Sequence, residues 1–324
     1  MQSSVALPSF ASCPVDFAVR LDSLRSQIEH RLAELVPQPD DVHDLMGAAL
    51  HEGVLAPGKR IRPLLMLLVG DSLGYQSPAL LDLGCAVEMV HAASLFLDDM
   101  PCMDNARLRR GRLAVHARFG QDVAVLGAVA LVSQACSIAA SAPGLSGDLR
   151  TELVRVLCHA VGMQGLVRGQ YRDLREGAAA RRVEDIASTN QQKTGSLFSA
   201  GFEMAALTAG ADQAVCSALR RAALELGQAF QLRDDIADLT RTPADSGKDN
   251  HKDDGKSTLV ALLGLTAARQ CLTHHLGEAQ SQLRAALSQN ETVSLWIHEA
   301  FAMPPAGCGQ PIDNRLQTYG GLAA

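Results

Sequence analysis

The chain has 324 residues, 47% of them hydrophobic, enough for one large domain or two small ones with a substantial core. Aromatics make up only 4%, and Leu and Ala dominate the apolar set, which favours packed helices over sheets. The formal net charge of −6, with no long lysine or arginine run, argues against a nucleic-acid binder.

Residues 1–14 lack the basic start and long apolar core of a secretory signal and read as a flexible tail. From Leu21 the positions Leu21, Leu24, Ile28, Leu32 and Leu35 recur at steps of three and four, an amphipathic helix that Pro37 and Pro39 close. A helix near Val42–His51 leads into Leu55-Ala-Pro-Gly-Lys-Arg-Ile-Arg-Pro63, a loop that presents Lys59, Arg60 and Arg62. Residues 64–73 and 79–98 read as buried helices.

The second of these runs into Asp98 and Asp99, a Pro101 break and Asp104, followed by Arg107, Arg109, Arg110 and Arg112. Three carboxylates after an apolar run make a costly helix end unless something neutralises them. Magnesium is hard and oxygen-seeking, and it binds one or two carboxylates plus substrate phosphates. The arginines offer planar forks suited to phosphate oxygens. Metal-holding acids beside phosphate-holding bases suggest a diphosphate site.

Val123–Ala142 imitates a membrane span, because it is uncharged and rich in Val, Ala and Leu. Ser133, Gln134, Ser137 and Ser141 interrupt it, so the expectation is a central helix buried on all sides in a protein that is not membrane-integral. Residues 149–175 read as one helix with Gly165 and Gly169 inside it, placed there for close packing. Residues 183–210 read as another, containing Lys193-Thr-Gly195.

Residues 213–240 end on Phe230-Gln-Leu-Arg-Asp-Asp-Ile-Ala-Asp238, where Asp234 and Asp238 share a helix face and Asp235 flanks them. Like charges at that spacing repel. Two acidic clusters, each behind an apolar helix, look like two walls of one metal-filled cavity. Pro243–Lys256 is a charge-rich loop, helices resume at Ser257, and 301–324 has no periodicity. The eight cysteines show no C-x-x-C pair and no zinc spacing, and they fit a reducing cytoplasm. The expectation is one all-α domain over about residues 15–300, between tails at 1–14 and 301–324.

The paired motifs Asp98-Asp99-x4-Asp104 and Asp234-Asp235-x2-Asp238 resemble the aspartate-rich motifs of the trans-polyprenyl diphosphate synthases. The likeness extends to Gly58-Lys-Arg-Ile-Arg-Pro63, Glu88-Met-Val-His91, Arg109-Arg110-Gly111, Lys193-Thr-Gly195, Phe230-Gln231 and Gly247-Lys-Asp…Gly255-Lys-Ser-Thr258. The stretch Leu97–Asp104 is similar to bacterial geranylgeranyl diphosphate synthases of carotenoid pathways.

This resemblance implies an isoprenoid-synthase helical bundle with a central substrate cavity, in a cytoplasmic homodimer. It implies condensation of isopentenyl diphosphate with dimethylallyl, geranyl or farnesyl diphosphate. Asp98, Asp104, Asp234, Asp235 and Asp238 would hold three Mg2+ ions, with Asp99 supporting that shell. Arg109, Lys193, Lys248 and Lys256 would contact the allylic diphosphate, and Lys59, Arg62, His91 and Arg110 that of isopentenyl diphosphate. Thr194 and Gln231 would face the reacting carbons.

One helical turn rises about 5.4 Å, roughly an isoprene unit. Small Ala93 and Ser94, one turn before Asp98, would let the tail pass, and Met89 and Val90 would floor the pocket at geranylgeranyl length. Leu113 and Arg168 depart from the family pattern, as does a C-terminus without the usual basic ending. A farnesyl diphosphate synthase is the alternative; a non-catalytic partner subunit fits less well, because both acidic motifs are complete. A terpene cyclase would carry an Asn/Ser/Glu metal motif in place of the second cluster.

Overall fold

The computed structural model describes residues 14–176, 181–240, 258–287 and 291–301. The first half runs α1 (Pro14–Leu35), α2 (Leu45–Val54), α3 (Ile61–Ser72), α4 (Pro78–Asp98), α5 (Val115–Phe119), α6 (Gln121–Ser141) and α7 (Gly147–Val161). The second runs α8 (Leu166–Glu176), α9 (Val183–Asn190), α10 (Ser196–Thr208), α11 (Gln213–Thr240), α12 (Leu259–Leu263), α13 (Leu265–Leu287) and α14 (Thr292–Phe301). The described residues thus form one helical bundle. They include a single hairpin of two-residue strands, β1 (Leu108–Arg109) and β2 (Arg112–Leu113), paired antiparallel.

Local chemistry sets where the helices start. Asp44 caps α2 by accepting from the Gly47 N–H at 2.9 Å, and Ser146 caps α7 through Leu149. Ser77 accepts from the Ala79 N–H, and Pro78 follows it where a helix loses nothing by lacking an N–H.

Helix α4 is the axis on which the site hangs. Leu80, Leu83, Val87, Met89 and Val90 are all buried, and α3 and α6 lie against it. Phe96, near its end, sits between Gly53 of α2 and Gly127 of α6; a Cβ at Gly53 would come within 2.3 Å of the ring. Burying such a ring contributes about 1.5–3 kcal/mol. That fixes the last turn of α4, and with it Asp98.

Three expectations need correction. The stretch 149–175 is two helices, because the chain turns at Gly162–Gly165, where the Gly165 N–H donates to the Gly162 carbonyl at 3.0 Å. The stretch 183–210 is interrupted by a π turn, Gln191–Gly195, between α9 and α10. Helix α6 is not buried on all sides: Val125, Leu126 and Val129 are exposed, Val129 by 61%. By length and composition α4 and α6 are both able to cross a membrane, although α4 is mostly buried inside the bundle.

Candidate active site

The first acidic motif is a folded turn. The Asp104 N–H donates to the Asp98 carbonyl at 2.9 Å, and the Ala106 N–H donates to the Asp99 carbonyl at 3.0 Å. The chain therefore doubles back and sets Asp104 within the field of Asp98. Burial, with Asp104 and Asp99 adding to it, pushes the Asp98 carboxyl up to about 6 against the pull of Lys193 and Arg109. Asp99 points elsewhere: it is 2% exposed and held by the Arg109 guanidinium, Nε donating to both carboxylate oxygens at 3.0 and 3.1 Å and Nη2 reinforcing them.

Between the strands, Arg110 and Gly111 both have positive φ, the geometry of a tight two-residue hairpin turn. Arginine is a strained choice there. The turn carries its guanidinium onto Gly58, where a Cβ would stand 2.6 Å from Nη1. Gly58 is needed for that space.

The cationic wall comes from α3, α4 and the hairpin. Arg62 lies over the Phe198 ring, 4.7 Å from its centroid, and its buried Nε has no hydrogen-bond partner among the described residues. Burial, and then Arg110, push this guanidinium down, while Glu88 and Asp234 pull it up. His91 is driven far below its ordinary value by burial and then by Arg62, Arg110 and Arg109, so its ring is neutral at pH 7. Positive charge gathered this closely suits an anion.

Arg60 behaves differently from its expected display beside Lys59 and Arg62. It is 3% exposed, donates from Nε to Glu29 at 2.7 Å and from Nη1 to Glu88 at 3.1 Å, and ties α1, α3 and α4 together. It does so from a left-handed backbone, φ 46°. Lys59 is exposed.

The opposite wall is the π turn. Its widened backbone carries Lys193 and Thr194 toward α4, and glycines clamp it on both sides. A Cβ at Gly169 of α8 would lie 2.2 Å from the Lys193 nitrogen, and one at Gly227 of α11 would lie 2.5 Å from the Gly195 Cα. Lys193 Nζ donates to Asp173 at 2.7 Å. Thr194 donates to Gln231 Oε1 at 3.2 Å, and Gln231 Nε2 donates to Asp235 at 2.8 Å, which orders the second acidic motif. Asp235 is buried, whereas Asp234 and Asp238 are exposed.

Six of the expected residues line or border one cavity of about 100 Å3: Arg62, His91, Ser94, Asp98, Lys193 and Thr194. Arg109, Arg110 and Asp99 instead border a smaller space of about 40 Å3 on the other flank of α4. Ala93, Met89 and Val90 are packed in the core behind Ser94. Lys248 and Lys256 lie outside the described residues. Sequence reasoning missed Asp173 and Gln170 of α8, which reach the same wall; Gly169 beside them, marked only as a close-packing position, was the available signal.

Among the described residues no group of three or more His, Cys, Asp or Glu side chains converges closely enough to hold a metal alone. The donors nevertheless suit a hard divalent cation. Asp98 and Asp104 are paired oxygen donors, one of them buried against its charged form, and such a cation takes few carboxylates and completes its shell with phosphate oxygen.

A family profile described as Polyprenyl synthetase matches residues 43–292. The chain is similar to a geranylgeranyl diphosphate synthase of Pantoea ananas, 48% identical over 86% of this chain and 92% of that protein. Its fold is similar to that of an FPP/GFPP synthase from Zymomonas mobilis, with a TM-score of 0.79 and 30% identity over 89% of this chain and 99% of that one. It is also similar to a geranyltransferase from Helicobacter pylori complexed with magnesium and isoprenyl diphosphate, with a TM-score of 0.79 and 28% identity over 90% and 98% of the two chains.

Proposed function

The chain belongs to the polyprenyl synthetase family and is a prenyltransferase, and from that premise we propose that it condenses isopentenyl diphosphate with dimethylallyl, geranyl and farnesyl diphosphates to make geranylgeranyl diphosphate. One observation carries this reading. A single cavity has the Asp98 carboxylate, the Arg62 and Lys193 cations and the apolar Leu95, Leu166 and Leu197 on its walls, as an ionic head with a greasy tail requires.

Asp98 and Asp104 on one side, and Asp234, Asp235 and Asp238 on the other, would hold three Mg2+ ions around the allylic diphosphate. The metal, when bound, supplies the charge that lets diphosphate depart with its bonding electrons. Lys193, fixed by Asp173, and Arg109, fixed by Asp99, bind that diphosphate, joined by Lys248 and Lys256. Lys59, Arg62, Arg110 and neutral His91 hold the diphosphate of isopentenyl diphosphate, so that its alkene is presented to the developing cation. Thr194, held through its hydrogen bond to Gln231, turns its hydroxyl oxygen toward that cation, and Leu95, Leu166 and Leu197 exclude the water that would quench it.

Ser94 borders the cavity and is small enough to pass a growing tail, which Met89 and Val90 would then stop at geranylgeranyl length. A second reading, a farnesyl diphosphate synthase, is favoured by the packing of Ala93 into the closed core at the same level. The exposed face of α6, Val125, Leu126 and Val129, supports a homodimer in which a second copy covers those residues.

The decisive assay supplies purified protein with magnesium, labelled isopentenyl diphosphate and each allylic starter, and separates products by length. Geranylgeranyl diphosphate is expected, with loss of turnover on chelation of the metal and in Asp98→Ala and Asp234→Ala. Full turnover in those two variants would refute the assignment.

A further inference from the structure

Helix α8 brings to the cavity a glutamine with no role in the mechanism above. Gln170 is only 7% exposed, it lines the cavity with Asp98, Lys193 and Thr194, and neither Nε2 nor Oε1 has a hydrogen-bond partner among the described residues. Among those residues no other glutamine has both amide atoms buried and unpartnered. Gln231 is already committed, because its oxygen accepts from Thr194 and its nitrogen donates to Asp235, and it is not part of the cavity wall. The placement of Gln170 is enforced: Gly169 lets the α8 backbone touch Lys193, and Asp173, one turn on, holds the Lys193 ammonium. Burying an amide with no partner is unfavourable, so a protein keeps one where a ligand completes it.

We infer that Gln170 is a catalytic residue of the prenyl transfer, its carboxamide contacting the allylic diphosphate at the carbon–oxygen bond that breaks. Nε2–H donates to the departing oxygen as it gains the bonding pair. Oε1 faces the carbon that loses that pair. The isopentenyl alkene then supplies two electrons to the new carbon–carbon bond, and the proton released from that unit passes to the departed diphosphate. A neutral amide suits the position, since a carboxylate there would collapse onto the cation as an ester. The inference rests on the proposed reading of the cavity as the allylic site.

The test compares wild type, Gln170→Met and Gln170→Glu with magnesium, isopentenyl diphosphate and geranyl diphosphate, reading kcat, both KM values and Tm. Methionine keeps the length and loses the amide. Its kcat should fall about 10²-fold, the loss seen when one preorganised donor is removed, with the KM for isopentenyl diphosphate within about twofold. Its Tm should hold or rise, because a buried unpaired amide has gone. Glutamate, which keeps the shape but adds the charge, should lose at least as much turnover. Methionine turnover within about threefold of wild type, or activity lost only in step with a falling Tm, would overturn the inference. A wild type unable to condense the two diphosphates would overturn the reading of the cavity and this inference with it; an active wild type beside an active Gln170→Met would overturn the inference alone.

Discussion

Gly169→Ala tests whether the approach of α8 to the π turn sets catalytic geometry. The added methyl would stand 2.2 Å from the Lys193 nitrogen, 2.6 Å from its Cα and 2.8 Å from the Gln192 carbonyl carbon, all backbone atoms that no rotamer change moves aside. Ordinary contact begins at 3.4 Å, so α8 and the π turn must part by about 1.2 Å. Overpacking of this kind costs about 1–3 kcal/mol. Lys193 and Thr194 ride on the displaced backbone, and a misplacement near 1 Å costs on the order of 10²-fold in rate. Denaturant unfolding and turnover with saturating substrates read the two effects separately. Gly277→Ala on α13 is the control: no heavy atom outside its own helix turn lies within 4 Å, so that variant should be neutral or stabilised by about 1 kcal/mol with unchanged turnover. If Gly169→Ala kept wild-type kcat while Gly277→Ala also did, the clamp would have no part in positioning Lys193.

Ser94→Phe should shift the product from geranylgeranyl to farnesyl diphosphate, read by product separation, because the ring would fill the cavity one turn from Asp98. Arg60→Met should destabilise the fold by about 3–5 kcal/mol in denaturant, since it strands the Glu88 carboxylate, 3% exposed; Arg60→Met with Glu88→Leu should recover most of that loss. His91 titrates far below 6.5 when folded, so the unfolded chain binds more protons below about that pH. Its contribution to stability is therefore full above pH 6.5 and is lost as pH falls, at up to about 1.4 kcal/mol per pH unit, and His91→Asn should flatten the profile between pH 6.5 and 5. Leu126→Glu with Val129→Glu should yield a monomer in analytical ultracentrifugation if α6 joins two copies, whereas an unchanged mass would exclude that face.

The helical pattern carried most of this fold, because three- and four-residue spacing is a local property of α1, α4 and α11. It failed where tertiary contacts decide. The π turn at Gln191–Gly195 inserts its extra residue only because Gly169 and Gly227 admit two other backbones, and nothing in the local pattern from 183 to 210 registers them. Arg60 looked like its neighbours Lys59 and Arg62 because Glu29 and Glu88, which bury it, lie on other helices. Helix α6 is apolar on every side, so its sequence alone does not distinguish a face turned to the bundle from one turned outward. Asp98 was legible because carboxylates at the end of an apolar helical run are costly enough to demand a partner, whereas Arg62 and His91 were legible only through the family resemblance.

That cost also explains how the site works as a unit. Without ligand, burial pushes the acid Asp98 and the bases Arg62 and His91 alike toward their neutral forms. The two walls do not neutralise each other: Asp99 is taken by Arg109, Glu88 by Arg60 and Asp173 by Lys193. A divalent cation alone relieves the acids and adds to the repulsion of the arginines, and a free diphosphate does the reverse. On the proposed reading a diphosphate bound together with a divalent cation would relieve both, and the charge gained by the leaving group would fall to the cationic side chains. The same unpaired charge that destabilises the empty site is then stabilising in the transition state, where catalysis needs it.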